Sequence, residues 1–223
     1  MNKKTIGLLG GIGPESTGLF YLALINGFVQ KYKPKDNTEY PHIIINSIPA
    51  PDLVLNVGND QILSSYIEGL KFLEKNKPDT IAIICNTAHV YLNKLQKEVS
   101  IPIINLPNEV RNHLYNSGFK SVTVLATLNT LENNLYKFEG IEYNDISKIE
   151  LEDLTKAISS YNLGIDMEKQ KVFVHELINK YLKISDCIIL GCTEVALMGK
   201  DVSANTIDTM EVLISSILRE YEK

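Results

Sequence analysis

Residues 80–87 read Thr80-Ile81-Ala82-Ile83-Ile84-Cys85-Asn86-Thr87. An apolar run with no polar position inside it fits a strand buried on both faces of a parallel sheet, not one with a wet face. The run stops at a cysteine and two hydrogen-bonding residues. Open parallel sheets take their ligands there, beyond the carboxyl ends of the strands. Later in the chain the same plan returns as Cys187-Ile188-Ile189-Leu190-Gly191-Cys192-Thr193-Glu194. The opening run Thr5-Ile6-Gly7-Leu8-Leu9-Gly10 has its own counterpart in Ser121-Val122-Thr123-Val124-Leu125-Ala126, each a strand leading into a loop of small or hydroxyl residues and then a helix. The chain thus repeats one plan at long range, and each repeat places a cysteine at a strand end.

Outward from these runs, short Ile/Val/Leu stretches alternate with stretches of helical period, which predicts an α/β fold. Strands are predicted at 5–9, 42–46, 80–84, 101–105, 121–126, 187–190 and near 206–207. Pro14 and Glu15 suit a first helical turn, and Leu19, Leu22, Ile25 and Val29 recur at spacings of three and four, predicting a helix to about Lys31. Further helices are predicted at 60–76, 88–99, 108–116 with Gly118 as the stop, 129–138, 167–181 and 208–221. The expected architecture is two similar subdomains, each a parallel sheet flanked by helices, related by pseudo-two-fold symmetry. The first would comprise residues 1–105, completed by 208–223, and the second 106–207.

The composition of the 223 residues, 44% hydrophobic and 22% charged, excludes a disordered chain. With 22 basic against 27 acidic residues and no polybasic run, nucleic acid is not an expected partner. No apolar stretch reaches bilayer length, and the start Met1-Asn2-Lys3-Lys4-Thr5 is unlike a signal peptide, so no membrane association and a cytoplasmic location are expected. Three cysteines in a chain of this size read as free thiols, not a disulfide scaffold. His42, His89, His113 and His175 are scattered, and no metal site is predicted.

A thiol at a strand end just before a helix feels the positive end of the helix dipole, which favours thiolate, the form able to take a proton. Cys85 and Cys192 are therefore candidate bases. If the two halves face each other, so do the thiols, and one could remove a proton from a carbon while the other returns a proton to the opposite face. Asn86, Thr87, Thr193 and Glu194, beside the thiols, could hold a substrate's carboxylate and ammonium. Free cysteines are commonly buried small hydrophobes. Cys187, inside its strand, is assigned that role, whereas Cys85 and Cys192 share a place in a repeated plan. The stretch from Gly7 to Ser16 contains neither G-x-G-x-x-G nor a P-loop with its Lys-Ser/Thr. It reads as a structural turn or as a loop whose backbone N–H groups, Gly11 among them, approach a small carboxylate. His89, one helical turn after Cys85, either tunes that thiol or makes only structural contacts. Glu194 either meets an ammonium or favours a helix first turn.

Gly10-Gly11-Ile12-Gly13-Pro14-Glu15-Ser16-Thr17, Cys85-Asn86-Thr87-Ala88-His89 and Gly191-Cys192-Thr193-Glu194 resemble the aspartate/glutamate racemase family, closest to its aspartate racemase branch. Asn46 with Pro49-Ala50-Pro51-Asp52, the run Ala126-Thr127-Leu128-Asn129-Thr130, and Ile207-Asp208-Thr209 fall in the family's order, so the resemblance spans the chain. It implies a cofactor-independent racemase, without pyridoxal phosphate, of two similar α/β subdomains, usually a homodimer, with Cys85 and Cys192 as acid and base in the interdomain cleft. Glutamate racemases resemble the chain less, since their second cysteine is usually followed by Thr-His where this chain has Thr193-Glu194. The aspartate branch typically carries an arginine after the Pro-Asp pair, and here Leu53 follows Asp52. Its lysine near a glycine of the second half has no match at Tyr161-Asn162-Leu163-Gly164. Aspartate is the best single substrate on this reading, with a broader or neutral amino-acid range left open. A β-carboxylate would need a compensating partner, either Lys169, Lys171 or Arg111, or the amide and hydroxyls of Asn46, Thr127 and Thr130.

Other readings share the motifs. A hydantoin racemase would use the same paired thiols on a cyclic neutral substrate. A non-catalytic amino-acid-binding protein on the same scaffold would be expected to lose one thiol, a single-thiol decarboxylase lacks the pair, and a redox protein would want Cys-x-x-Cys, which Cys187 and Cys192 do not form.

Overall fold

A computed structural model of the chain describes residues 4–51, 59–202 and 205–222. The chain divides into two compact units, Met1–Asn105 together with Leu213–Lys223, and Leu106–Val212.

In the first unit, β1 (Thr5–Gly10) leads through α1 (Pro14–Tyr32) to β2 (His42–Ser47), and α2 (Asn59–Lys75) leads to β3 (Thr80–Ile83) and the short α3 (Leu92–Gln96). The three strands form a parallel sheet in the order β2-β1-β3, with Leu9 opposite both Asn46 and Ile83. Ile6, Leu8, Leu9 and Ile81 to Ile83 are all but inaccessible, as strands covered on both faces require. Tyr66, Leu70 and Leu73 of α2 and Leu92 and Leu95 of α3 pack in one cluster with Leu9, Ile81 and Ile83. The strand predicted at 101–105 is reduced to one parallel bridge, Ile81 with Ile103. Pro102 explains this: its carbonyl accepts from Ile81 N–H, but it has no N–H to continue a ladder.

The helix predicted to about Lys31 forms as α1, and the residues it buries are Phe20, Leu24 and Phe28, with Leu22 of the periodic stripe 58% exposed. The helix is apolar on two sides, so period alone could not choose between them. The helix predicted over 88–99 begins as a 3₁₀ turn, Thr87–Tyr91, and only Leu92–Gln96 is α-helical. His89 N–H donates to the Asn86 carbonyl, while its ring takes the Cys85 carbonyl that a regular helix would have used for that N–H.

In the second unit, α4 (Leu106–Ser117) precedes β4 (Ser121–Leu125), α5 (Leu128–Glu132), the two-residue β5 (Glu142–Tyr143), α6 (Lys148–Asn162), α7 (Met167–Tyr181), β6 (Cys187–Leu190), α8 (Thr193–Gly199), β7 (Thr206–Asp208) and α9 (Thr209–Glu222). The parallel sheet runs β5-β4-β6-β7. Its first three strands repeat the order β2-β1-β3 of the other unit: the opening strand central, the next on one side, the third on the other. The fold is therefore α/β with two parallel sheets flanked by helices, as the repeated plan predicts. The helix expected over 129–138 stops at Glu132, because Asn133 and Asn134 follow and Asn134 turns left-handed at φ 52°. α6 and β5 were not anticipated. α6 starts at Ser147, whose Oγ accepts from Glu150 N–H and donates to the Glu150 carboxylate while its N–H donates to the Tyr181 hydroxyl, and Lys180 and Tyr181 of α7 add bonds to that carboxylate.

The last part of α9 belongs to the first unit. Tyr32 donates to the Leu218 carbonyl, Lys31 pairs with Glu222 at 2.9 Å, and a Cβ on Gly27 would meet Ile214 and Leu218 at 3.3 Å.

Candidate active site

In the first unit the candidate groups gather at the carboxyl end of the sheet. β1 ends in a glycine loop fastened by Thr17, whose Oγ1 accepts from Gly11 N–H at 2.9 Å and donates to the Gly13 carbonyl at 3.1 Å. Gly11 has φ +90°, and a Cβ there would run into the Ile48 backbone, so the turn requires glycine. Its N–H, expected to face a substrate carboxylate, is spent on Thr17. No sequence reasoning assigned Thr17 a role; the signal was a hydroxyl one turn into the helix that follows a glycine loop. Asn46 is next to last in β2, and its amide donates to the Gly69 carbonyl of α2 at 2.9 Å. It borders a cavity of about 260 Å³ with Ser65, Glu68 and Phe72.

Cys85 follows β3 and is 7% exposed, with Asn86 and Thr87 buried beside it. The group after it is a 3₁₀ turn, so the helix-dipole argument lacks its helix there. His89 is buried; its Nδ1 donates to the Cys85 carbonyl at 2.8 Å, which leaves Nε2 as the lone-pair nitrogen, buried without a hydrogen-bond partner among the described residues. Burial holds this imidazole below its ordinary pKa against the pull of the surrounding carbonyls. His89 thus holds the backbone of the Cys85 turn and does not bond the sulfur.

In the second unit, Gly191 N–H donates to the Leu125 carbonyl at 2.8 Å, and a Cβ on Gly191 would come within 3.1 Å of Ala126 and the Tyr136 ring, so glycine lets the strand end lie flat. Cys192 then caps α8 in extended conformation. Its Sγ donates to Glu194 Oε2 at 2.9 Å, and Thr193 Oγ1 donates to the same oxygen at 2.7 Å. The sulfur's pKa moves opposite to the expectation from the dipole. Burial first, then the Glu194 charge and hydrogen bond, push the Cys192 thiol well up, and the Glu194 and Val195 amides only oppose this. Thr127 caps α5, accepting from Thr130 N–H and donating to Thr130 Oγ1, so the two hydroxyls are already paired. Cys187 is fully buried in β6 and burial pushes it up to about 12, an inert thiol.

Asp208 ends β7 opposite Leu190, one residue before the turn to Cys192 begins. Its Oδ1 accepts from the Met210 and Glu211 amides, and burial raises the carboxyl to about 6. Thr209 Oγ1 donates to the Leu190 carbonyl. Of the compensating cations, Lys171 is paired with Glu168 at 2.7 Å, and Lys169 and Arg111 are exposed. Asp52 and Leu53 lie outside the described residues. Among the described residues no group of three or more His, Cys, Asp or Glu side chains could hold a metal ion, and no helix is long and apolar enough to cross a membrane.

The family described as Asp/Glu/Hydantoin racemase matches residues 9–217. The chain belongs to it. It is therefore an isomerase of the amino-acid racemase kind. It is 29% identical over 223 residues, covering 97% of each chain, to the broad specificity amino-acid racemase RacX of Bacillus subtilis (strain 168). A crystal structure of an aspartate racemase homologue from Pyrococcus horikoshii OT3 superposes on this racemase-family chain with a TM-score of 0.78 at 27% identity, over 99% of this chain and 100% of that one. The aspartate racemase of Picrophilus torridus, 23% identical, shares the fold with a TM-score of 0.83 over 99% and 95%.

Proposed function

We propose that this family member racemises a free amino acid by α-proton exchange between two thiols, Cys85 and Cys192, without pyridoxal phosphate, and that aspartate is the best single substrate. One observation carries the reading. In each unit the first strand is central and has the second strand on one side, and the strand on its other side, β3 or β6, is followed after one residue by a cysteine. Two groups at equivalent ends of equivalent strands suit a reaction that must treat the two faces of one carbon alike.

In the proposed reaction one thiolate removes the α-proton, the substrate carboxylate draws off the negative charge, and the other thiol delivers its proton to the opposite face. Asn86 and Thr87 in one unit and Thr127, Thr130, Thr193 and Glu194 in the other are proposed to border the substrate, with Gly11 and Asn46 shaping its surroundings through backbone and amide contacts. The homodimer that the resemblance implies belongs to the same proposal, and sedimentation measures it.

A second reading, a broader amino-acid range, is favoured by the likeness to the broad specificity amino-acid racemase of Bacillus subtilis and by Leu53 where the aspartate branch has arginine. Incubation of an amino-acid panel and a hydantoin in deuterated water, with no added cofactor, tests both. Deuterium at the α-carbon of aspartate alone supports the first reading, and exchange across neutral amino acids supports the second. Exchange only in the hydantoin, or in no compound, overturns the proposal.

A further inference from the structure

Resting on the two-thiol reading above, the surroundings of Cys192 carry one step more. Cys192 Sγ and Thr193 Oγ1 both point at one oxygen, Glu194 Oε2, at 2.9 and 2.7 Å. All three residues are 4% exposed. A carboxylate oxygen has no hydrogen to give, so thiol and hydroxyl donate and Glu194 accepts. We propose that Glu194 is the proton store of Cys192, a positioning residue that keeps the proton on sulfur while Cys192 serves as acid and accepts it across the short contact when Cys192 must serve as base.

The protons balance. With both thiols protonated and Glu194 ionised, the Cys192 S–H bond breaks and a Glu194 O–H bond forms, leaving a thiolate and a neutral carboxyl. The Cys192 thiolate then takes the α-proton while Cys85 gives its own to the other face, so Cys192 ends protonated and Cys85 ends as thiolate. In the reverse direction Cys85 takes the α-proton and Cys192 gives. The Thr193 hydroxyl donates to the same oxygen and so holds the Glu194 carboxylate against the sulfur.

The groups facing Cys192 from the packed elements leave Glu194 as the dominant charge. His175 of α7 meets the Met198 carbonyl toward the other end of α8, Cys187 of β6 is an uncharged thiol, and Asp208 of β7 is turned to its own helix amides. Lys200 and Asp201 lie past the end of α8. Burial is the larger influence on the sulfur, and the Glu194 charge is the largest electrostatic one.

Because the two enantiomers have equal free energy, kcat/KM must stay equal in both directions whatever is mutated, so direction cannot report on Glu194 and pH can. In a Cys85→Ser, Cys187→Ser background Cys192 is the only thiol, and ultraviolet thiolate absorbance titrates it without needing turnover. Glu194→Gln is expected to lower the midpoint by about one pH unit or more, and Glu194→Asp, which withdraws the carboxylate by one methylene, by less. In the otherwise native enzyme the Cys192 limb of the kcat/KM profile should move down in step. An unmoved or raised midpoint overturns the proposal; if the Gln variant fails to fold, the Asp variant carries the same test. Racemisation surviving in Cys192→Ser would instead sink the two-thiol reading, while the thiol titration would still report on Glu194.

Discussion

Replacing Asp208 with asparagine should stabilise the protein at neutral pH. The carboxyl sits at the end of β7, capping α9, and burial raises it to about 6 from 3.8. A folded state that holds its proton more tightly than the unfolded chain loses stability as pH rises. The contribution is fully present below about pH 4, falls between there and about pH 6, and stays lost above. At about 1.4 kcal/mol for each tenfold in proton affinity, the ionised carboxylate costs the folded state about 3 kcal/mol. Asparagine keeps the oxygen that accepts from Met210 and Glu211 and ranks with aspartate as a cap, but gives up a favourable interaction with the helix dipole of about 0.3–1 kcal/mol. The expected net gain is about 2 kcal/mol at about pH 7.5, shrinking to nothing or a small loss at about pH 4. Since two units can unfold separately, urea melts should be paired with amide exchange in β7 and α9. A variant that is less stable than the parent at neutral pH, or whose difference does not change with pH, would refute the reasoning.

Cys85→Ser and Cys192→Ser should each lose about 10²–10⁴-fold in racemisation while still binding substrate, because a hydroxyl is a far weaker base than a thiolate; Cys187→Ala should stay active, and isothermal binding with deuterium exchange separates the cases. Thr17→Val should cost about 1–3 kcal/mol in thermal or urea unfolding, since Gly11 N–H and the Gly13 carbonyl lose their shared partner. Glu150, held down at about 2 mainly by Lys180 and then Ser147, contributes stability above its unfolded pKa that is lost as pH falls toward 2. Glu150→Gln should therefore cost about 1 kcal/mol at neutral pH, a figure kept small because solvent screens the pair, and the cost should vanish in acid unfolding. For substrate choice, a site built for a β-carboxylate should reject alanine and homoserine strongly, so a higher kcat/KM for either than for aspartate would remove aspartate while leaving the thiols in place.

The strands were legible because a strand buried on both faces needs a mostly apolar run: 81–84 and 187–190 are unbroken, and 5–9 and 121–126 admit only small or hydroxyl residues besides. Where the reading failed, a specific side chain intervened. Pro102 withheld the N–H that a further strand needed, Asn133 and Asn134 ended α5, and the ring of His89 took a helix carbonyl. In α1 the periodic stripe marked the helix but not its buried face, because the face of Phe20, Leu24 and Phe28 is equally apolar. α6 was overlooked although Ser147, an N-cap serine with Glu150 three residues on, marks its start. At the candidate site, the places of Cys85 and Cys192 were legible from repetition. The Cys192–Glu194 contact was not, since residues two apart do not face each other on a helix. It arises because Cys192 is the extended cap residue and lies outside the helical spacing.

The two repeats agree in topology and part company at the cysteines. In the first, the turn after Cys85 is 3₁₀, and the neighbouring ionisable group, His89, is kept neutral and bonds the backbone. In the second, a true helix follows, and the neighbouring group is a carboxylate bonded to the sulfur. A racemase acts on enantiomers of equal free energy, so such a difference between thiols cannot favour one product at equilibrium. What it can set is which sulfur holds the proton at rest and over which pH range one thiol and one thiolate coexist. Divergence at these two turns, beside three strands that keep the same order in each sheet, is what a repeated scaffold would show if it retained the framework of the chemistry and let the protonation of each thiol be tuned separately.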